Sequence, residues 1–244
     1  MQSDKTSSSV TVEASTETVQ QLLLQSSMAN VNEVPQKVVA GATYFYGKVI
    51  KRVFDVLLAI ILGIPASLII MLCYIAIKLE TRGPAFFVQE RPGYKGKIFK
   101  ILKLRTMIVD TEHNGRMLTD MERVTKCGKI IRACSFDELP QIFNILIGQM
   151  SFIGPRPLLV QYLPLYSNEQ MRRHDVLPGI SGWAQVNGRN ELTWEQKFER
   201  DCWYVDHVSF GLDMKILKMT IVNVLNHQGI NAGLNDTMEI FKEK

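Results

Sequence analysis

Asp137 and Glu138 are adjacent carboxylates in the stretch Ser135-Phe136-Asp137-Glu138-Leu139-Pro140-Gln141, where a basic segment (Lys126 to Arg132) gives way to an apolar one (Ile142 to Ile147). Two readings of the pair compete. Ser135 and Glu138 match a capping box, with Ser135 as N-cap and Glu138 at the third helical position. Pro140 weakens that register, because a proline that deep in a helix lacks an N–H to donate and its ring clashes with the preceding turn. A helix beginning nearer Pro140 frees both carboxylates from capping. In either register they lie at a helix N-terminus, whose dipole favours the ionised form. An ionised aspartate can attack phosphorus, since aspartyl phosphates are established covalent intermediates. A neighbouring ionised glutamate can hold Mg²⁺.

Phosphate chemistry needs cations. Lys103, Arg105 and Arg132 precede the pair, and Arg156 and Arg189 follow it. Arg156 stands between two prolines in Gly154-Pro155-Arg156-Pro157, which restricts the backbone on both sides. Arg189 ends the turn-rich segment Gly182-Trp183-Ala184-Gln185-Val186-Asn187-Gly188-Arg189. Guanidinium forks match phosphate oxygens in a way a lysine point charge does not. For any one of these arginines alone a surface ion pair is the better reading; two held by Pro and Gly near a carboxylate pair point to ligand binding. His113, His174, His207 and His227 show no metal-ligand spacing. Cys73, Cys127, Cys134 and Cys202 form no CxxC pair and read as free thiols in a reducing compartment. Neither GxGxxG nor a Walker-A pattern occurs, which leaves Rossmann and P-loop readings unsupported.

The elements that must position these residues begin with a tail. Residues 1–46 are rich in Ser, Thr, Gln and Glu and read as disordered or weakly structured, with at most one short helix around Val19 to Leu24. The uncharged run from Val56 to Ile77 is long enough, at about 1.5 Å per residue, to cross a hydrocarbon core of about 30 Å. Pro65 lies near its middle, and basic residues flank both ends: Lys48, Lys51 and Arg52 before, Lys78 and Arg82 after. Positive charge favours the cytoplasmic side, so both ends belong on the same side, and a bent, re-entrant helix over 47–82 satisfies that. Asp55 would sit near the interface and could pair with Lys51 or Arg52.

Beyond it the pattern predicts a small β-hairpin, one strand within Gly83 to Gly93 and a second over Lys97 to Arg105. Strict alternation in the second strand sets Lys97, Lys103 and Arg105 on one face, opposite Ile98, Leu102 and Leu104. Residues 110–125 read as a mobile loop, and helices are expected over Thr125 to Arg132, Glu138 to Gly148 and Tyr162 to His174. Phe210, Met214, Leu217, Ile221, Val224 and Leu225 recur at helical spacing and define an amphipathic helix, either core-facing or lying in a membrane interface. Trp183, Trp194 and Trp203 suit a core or interfacial anchors. The fold class that results is mainly α with a small β-hairpin. A mean hydropathy of +0.03 is high for a soluble chain, while a net charge of +4 without a long Lys/Arg run makes anionic headgroups or phosphorylated small molecules, not nucleic acid, the indicated partners.

Taken together, Lys51-Arg52-Val53-Phe54-Asp55, Phe99 to Met107, Ser135 to Gln141, Ser151 to Pro157 and Pro178 to Arg189 resemble the monotopic bacterial polyprenyl-phosphate sugar-1-phosphate transferases, the small phosphoglycosyl transferases, from about Lys51 to Ile230. The resemblance implies a catalytic domain over 83–232 on the cytoplasmic face of the bacterial inner membrane, without a Rossmann domain, followed by a tail over 233–244. It implies that Asp137 attacks the β-phosphate of a UDP-sugar, that UMP leaves, and that undecaprenyl phosphate then takes the sugar phosphate from Asp137. Glu138 would ligate Mg²⁺. Arg132, Arg156 and Arg189 match the family's basic positions, Lys103 matches another, membrane lipids are partners, and a homodimer is allowed. The family often breaks its membrane helix at an adjacent Ser-Pro pair, whereas here Pro65 and Ser67 are separated by Ala66. The alternative from another class is a catalytically silent membrane-anchored adaptor of a polysaccharide assembly complex, against which both carboxylates beside the arginines argue. No residue type encodes which UDP-sugar or which glycan pathway is served.

Overall fold

The computed structural model describes residues 46–113, 115–188 and 192–226 together with Phe241. The expected tail (apart from Tyr46), Arg189 and all of 233–244 except Phe241 lie outside the described residues. A single π-turn, Tyr46–Ile50, leads into α1, Lys51–Glu80, a helix of 30 residues that runs through Pro65. At about 1.5 Å per residue it extends about 45 Å. It is long and apolar enough to cross a membrane, and Leu57, Ile61, Ile64, Leu68 and Leu72 on its outer face are exposed. Small residues line its inner face. Ala59 and Ala66 are buried, and Gly63 lies beside Ile142, so the backbone can approach the rest of the protein closely.

Both ends of α1 are tied to the same domain. At the start, Arg52 donates to the carbonyl oxygens of Ile145 and Leu146. Lys51 forms a 2.6 Å ion pair with Asp213. At the end, Glu80 accepts from the backbone N–H groups of Lys126 and Cys127 at 2.7 and 2.9 Å. Asp55 does not pair with Lys51 or Arg52 as expected. It is 1% exposed and accepts from Ser151 Oγ and the Phe152 N–H, because it points into the core and not along the helix surface.

The hairpin forms as expected: β1 (Phe86–Pro92) pairs antiparallel with β2 (Ile98–Leu104), Phe86 opposite Leu104. Its side chains alternate as expected, but the faces are covered differently. Phe99 and Ile101 are buried while Ile98 is exposed, so the face that carries Lys103 and Arg105 is the inward one. Apolar residues fill its first half and the cations its second. The region expected to be a loop contains a two-residue ribbon, β3 (Glu112–His113) with β4 (Arg116–Met117), and a short helix α2 (Asp120–Arg123). Thr119 and Glu122 make a full capping box at α2, which gives this polar segment a structure that hydrophobic periodicity does not report.

Helix α3, Lys126–Ala133, is capped by Thr125 and agrees with expectation to within a residue. The next helix is shorter than expected: a 3₁₀ turn over Phe136–Glu138 precedes α4, Gln141–Leu146. Strand β5 (Ser151–Ile153) pairs in parallel with β6 (Gly179–Ser181). Between them the expected helix Tyr162 to His174 is broken into a 3₁₀ turn over Val160–Leu165, α5 (Asn168–Met171) and another 3₁₀ turn over Arg172–Asp175. Pro164 interrupts the first turn, and Ser167 starts a new helix with its own capping box to Gln170. Helices α6 (Trp183–Val186), α7 (Trp194–His207) and α8 (Phe210–Leu225) complete the fold.

Helix α8 turns Asp213 and Ile216 to the core and leaves Phe210, Ile221 and Val224 exposed, so its apolar stripe is only partly covered. The main core joins Ala59 and Ala66 of α1 to Phe99, Ile101, Ile142, Ile145, Tyr204 and Ile216. A second, aromatic cluster contains Tyr162, Tyr166 and Phe198, with Trp194 and Phe241 packed against it. The architecture is thus mainly α with small strand pairs, and it includes one helix long and apolar enough to cross a membrane.

Candidate active site

Ser135 decides the geometry of the carboxylate pair. It adopts the left-handed conformation (φ 57°, ψ 23°) and makes no side-chain cap, which costs a non-glycine residue about 1 kcal/mol or more. Of the two readings, the capping box is therefore the one that fails. The chain turns sharply between α3 and the 3₁₀ turn, α4 begins only after Pro140, and both carboxylates are released from the helix.

Glu138 is held by two cations on one oxygen. Arg156 Nη2 donates to Oε1 at 2.5 Å and Lys103 Nζ at 3.1 Å. Burial opposes its ionisation, but Arg156 and Lys103 outweigh that and hold its pKa at about 2. Asp137 differs: it makes no hydrogen bond or ion pair among the described residues. Burial, and then the charge of Glu138, raise its pKa above the ordinary 3.8, against the opposing pull of Lys103, Arg156 and Arg132. One carboxylate is thus fixed by two cations, and the other is partly desolvated and not held by any ion pair among the described residues.

Each cation arrives by a different device. Lys103 sits near the end of β2, whose edge is clamped to α4: Asn144 Oδ1 accepts from Leu102 N–H and its Nδ2 donates to the Lys100 carbonyl. Arg132 closes α3 and donates Nε to Thr106 Oγ1 at 2.8 Å. That approach needs Gly128, because a Cβ there would lie 2.2 Å from the Thr106 carbonyl oxygen. Arg156 follows β5 through Gly154, where a Cβ would lie 2.3 Å from the Leu177 carbonyl oxygen as the chain crosses the approach to β6. Arg105 is 7% exposed, and its guanidinium donates to the Arg82 carbonyl and to Thr81 Oγ1, which fastens the segment after α1 to the hairpin. Arg189 lies outside the described residues. The structure therefore brings Asp137, Glu138, Lys103 and Arg156 together directly, with Arg132 near enough to act on Asp137 by its charge.

A cavity of about 1320 Å³ opens over the pair. Its walls include Leu62, Pro65, Ala66 and Ile69 from α1, the site cations, and Gln185, Trp194, Lys197, Arg173 and Asp201. Arg173, Asp201 and Asn144 were not singled out in the sequence. Their partners lie many positions away in the chain, and no local spacing reveals such pairs.

Among the described residues no group of three or more His, Cys, Asp or Glu side chains is arranged for a metal. Mg²⁺ commonly needs only one or two carboxylates, completing its shell with water and substrate phosphate oxygens. Both ion pairs of Glu138 fall on Oε1, so its second oxygen is the carboxylate donor that fits such an ion.

A desolvated carboxylate beside a cation-held one, in a cavity walled partly by a membrane-length helix, defines a membrane-associated domain equipped for phosphate chemistry. The chain belongs to the bacterial sugar transferase family, which it matches over residues 46–227. It is 50% identical over 193 residues to the uncharacterized sugar transferase EpsL of Bacillus subtilis, covering 79% of this chain and 96% of that protein. It is 36% identical over 222 residues to a UDP-glucose:undecaprenyl-phosphate glucose-1-phosphate transferase of Xanthomonas campestris pv. campestris, covering 84% of this chain and 46% of that one. It is 42% identical over 190 residues to a UDP-N-acetylgalactosamine-undecaprenyl-phosphate N-acetylgalactosaminephosphotransferase of Aeromonas hydrophila, covering 74% and 44%. The chain thus spans nearly all of the first relative and less than half the length of the other two.

Proposed function

We propose that this protein is a phosphoglycosyl transferase that moves a sugar 1-phosphate from a UDP-sugar to undecaprenyl phosphate through an ester on Asp137. The observation that carries this reading is the division of labour within the pair: Glu138 is pinned by Arg156 and Lys103, while Asp137 is partly desolvated and makes no ion pair among the described residues. The names of the Xanthomonas and Aeromonas relatives support the reaction class and the lipid acceptor.

In the first half-reaction an oxygen of Asp137 bonds to the β-phosphorus of the UDP-sugar. The bond to the bridging oxygen breaks, and UMP leaves with that oxygen. Arg156 and Lys103 supply positive charge beside the diphosphate as the leaving group gains charge, and Arg132 adds to it. Mg²⁺, when bound through Glu138 and the substrate, supplies further neutralisation of the diphosphate. In the second half-reaction a phosphate oxygen of undecaprenyl phosphate attacks the same phosphorus and the Asp137 carboxylate is released. The products are UMP and the undecaprenyl-diphosphate-linked sugar. Arg189 is assigned to phosphate binding by its sequence position alone.

The lipid substrate accounts for the wall that α1 contributes to the cavity: an apolar surface at Leu62, Pro65 and Ile69 leads to the carboxylates. A re-entrant placement of α1 in one leaflet is supported by its two ends, both bonded to the same domain, and by basic residues on both flanks. The exposed stripe of α8 would then lie in the interface, with the catalytic domain on the cytoplasmic face of the inner membrane. Incubation with a panel of UDP-sugars and undecaprenyl phosphate tests the reaction. UMP should appear together with a lipid-linked sugar for at least one of them. Release of UDP would replace this reading with ordinary glycosyl transfer.

A further inference from the structure

Arg173 and Asp201 form a buried pair behind the site, 2% and 4% exposed. Nε and Nη2 of Arg173 both donate to Asp201 Oδ2, at 3.1 and 2.7 Å. The same Nη2 also donates to the backbone carbonyl of Arg156 at 2.8 Å. The guanidinium lies 5.6 Å from the Phe198 ring centroid and 5.9 Å from that of Tyr166, so the aromatic cluster holds it from one side. Arg156 in turn donates to Glu138. A continuous set of contacts therefore runs from α7 through Arg173 and Arg156 to the carboxylate pair.

Buried ion pairs contribute little net stability, and well-packed apolar replacements of similar volume often fold as well or better. What an apolar pair cannot supply here is the hydrogen bond to the Arg156 carbonyl. Pro155 and Pro157 already fix φ on both sides of Arg156. The tilt of the Arg156–Pro157 peptide is not fixed by those rings, and the hydrogen bond from Arg173 to the Arg156 carbonyl holds it. We propose that Arg173, locked by Asp201, is a positioning residue that sets the direction from which the Arg156 side chain reaches Glu138 and the substrate diphosphate. The inference rests on the transfer reaction proposed above.

The test compares full-length wild type, Arg173→Met/Asp201→Leu, Arg156→Ala and the triple variant, all in detergent micelles. The apolar pair should keep a thermal midpoint near that of wild type yet lose about tenfold or more in kcat for UMP release, since a misplaced site group of this kind costs up to about a hundredfold. The loss should fall in kcat and not in KM, because the contact from Arg156 strengthens as the leaving group gains charge. In the Arg156→Ala background the pair should cost no more than about twofold, because its effect passes through Arg156. A folded apolar pair with wild-type kcat would overturn the proposal. So would an equal loss with and without Arg156, which would make Arg173 an independent contact. If the apolar pair does not fold, Arg173→Lys, which keeps the charge but not the fork, takes its place in the same cycle, and either of those two results would again overturn the proposal. Failure of wild type to release UMP would refute the reaction alone. The cycle would then be read in UDP binding, where non-additivity with Arg156→Ala is again expected.

Discussion

Replacing Arg156 by alanine should destabilise the protein in a way that depends on pH. Glu138 is held at about 2 against an ordinary 4.5. At about 1.4 kcal/mol per tenfold change, its ionised form gains about 3 kcal/mol from its surroundings in the folded state. Arg156 and Lys103 share that gain through Oε1, at 2.5 and 3.1 Å. The Arg156 side chain is 44% exposed, so solvent screening trims its part to about 1–2 kcal/mol. A group whose pKa is depressed by folding stabilises above its unfolded value, and that stability is lost as pH falls through the folded one. The Arg156→Ala penalty should therefore be full at pH 7, shrink below about pH 4.5 and be nearly gone at about pH 2. Thermal unfolding in micelles should show a midpoint lowered by about 3–6 °C at neutral pH, narrowing steadily towards acid. An equal deficit at pH 7 and pH 3 would refute the assignment of Glu138 as the partner of Arg156.

Other outcomes follow from the same geometry. The acid limb of kcat/KM should reflect Asp137, which titrates above 3.8, and not Glu138, which stays ionised to about 2. Because the charge of Glu138 raises the Asp137 pKa, the limb should move to lower pH in Glu138→Gln, read from the shape of the profile whatever activity remains. Lys51→Met should cost about 3–5 kcal/mol by stranding Asp213, which is 2% exposed and also accepts from Tyr46 and Tyr204; an unchanged thermal midpoint would show that the ion pair carries no energy. Phe241 touches Tyr162, Tyr166, Trp194 and Phe198 with ring centroids 5.1–5.9 Å apart. Phe241→Ala should lower stability by about 1–3 kcal/mol and change tryptophan emission; unchanged emission and midpoint would show that the contact carries no energy.

Much of the site was legible where local chemistry is self-sufficient. Pro140 announced that α4 starts late, and the turn signals around β1 and β2 announced a hairpin. The capping boxes at Thr119 and Ser167 were equally readable, and they would have corrected the loop over 110–125 and the unbroken helix over 162–174. What could not be read was long-range. Lys103 was placed on a face with Lys97 and Arg105, opposite the apolar residues. The strand in fact turns that face inward, with Phe99 and Ile101 covering the core before the cations reach the site. The left-handed turn at Ser135 has no compositional signal, since serine adopts it only under the constraint of its surroundings. The partners of Arg52, Asp55 and Arg173 are set by packing across the fold, which residue spacing does not encode.

The central claim is the covalent bond to Asp137. Enzyme incubated with UDP-sugar labelled in the sugar, without lipid acceptor, should release UMP in an amount matching the enzyme and retain label. Mass spectrometry of the digested protein should find the added sugar phosphate on the peptide containing Asp137, absent in Asp137→Asn and discharged by undecaprenyl phosphate. Turnover by Asp137→Asn at a rate near wild type, or UMP release without any label on the protein, would contradict the account.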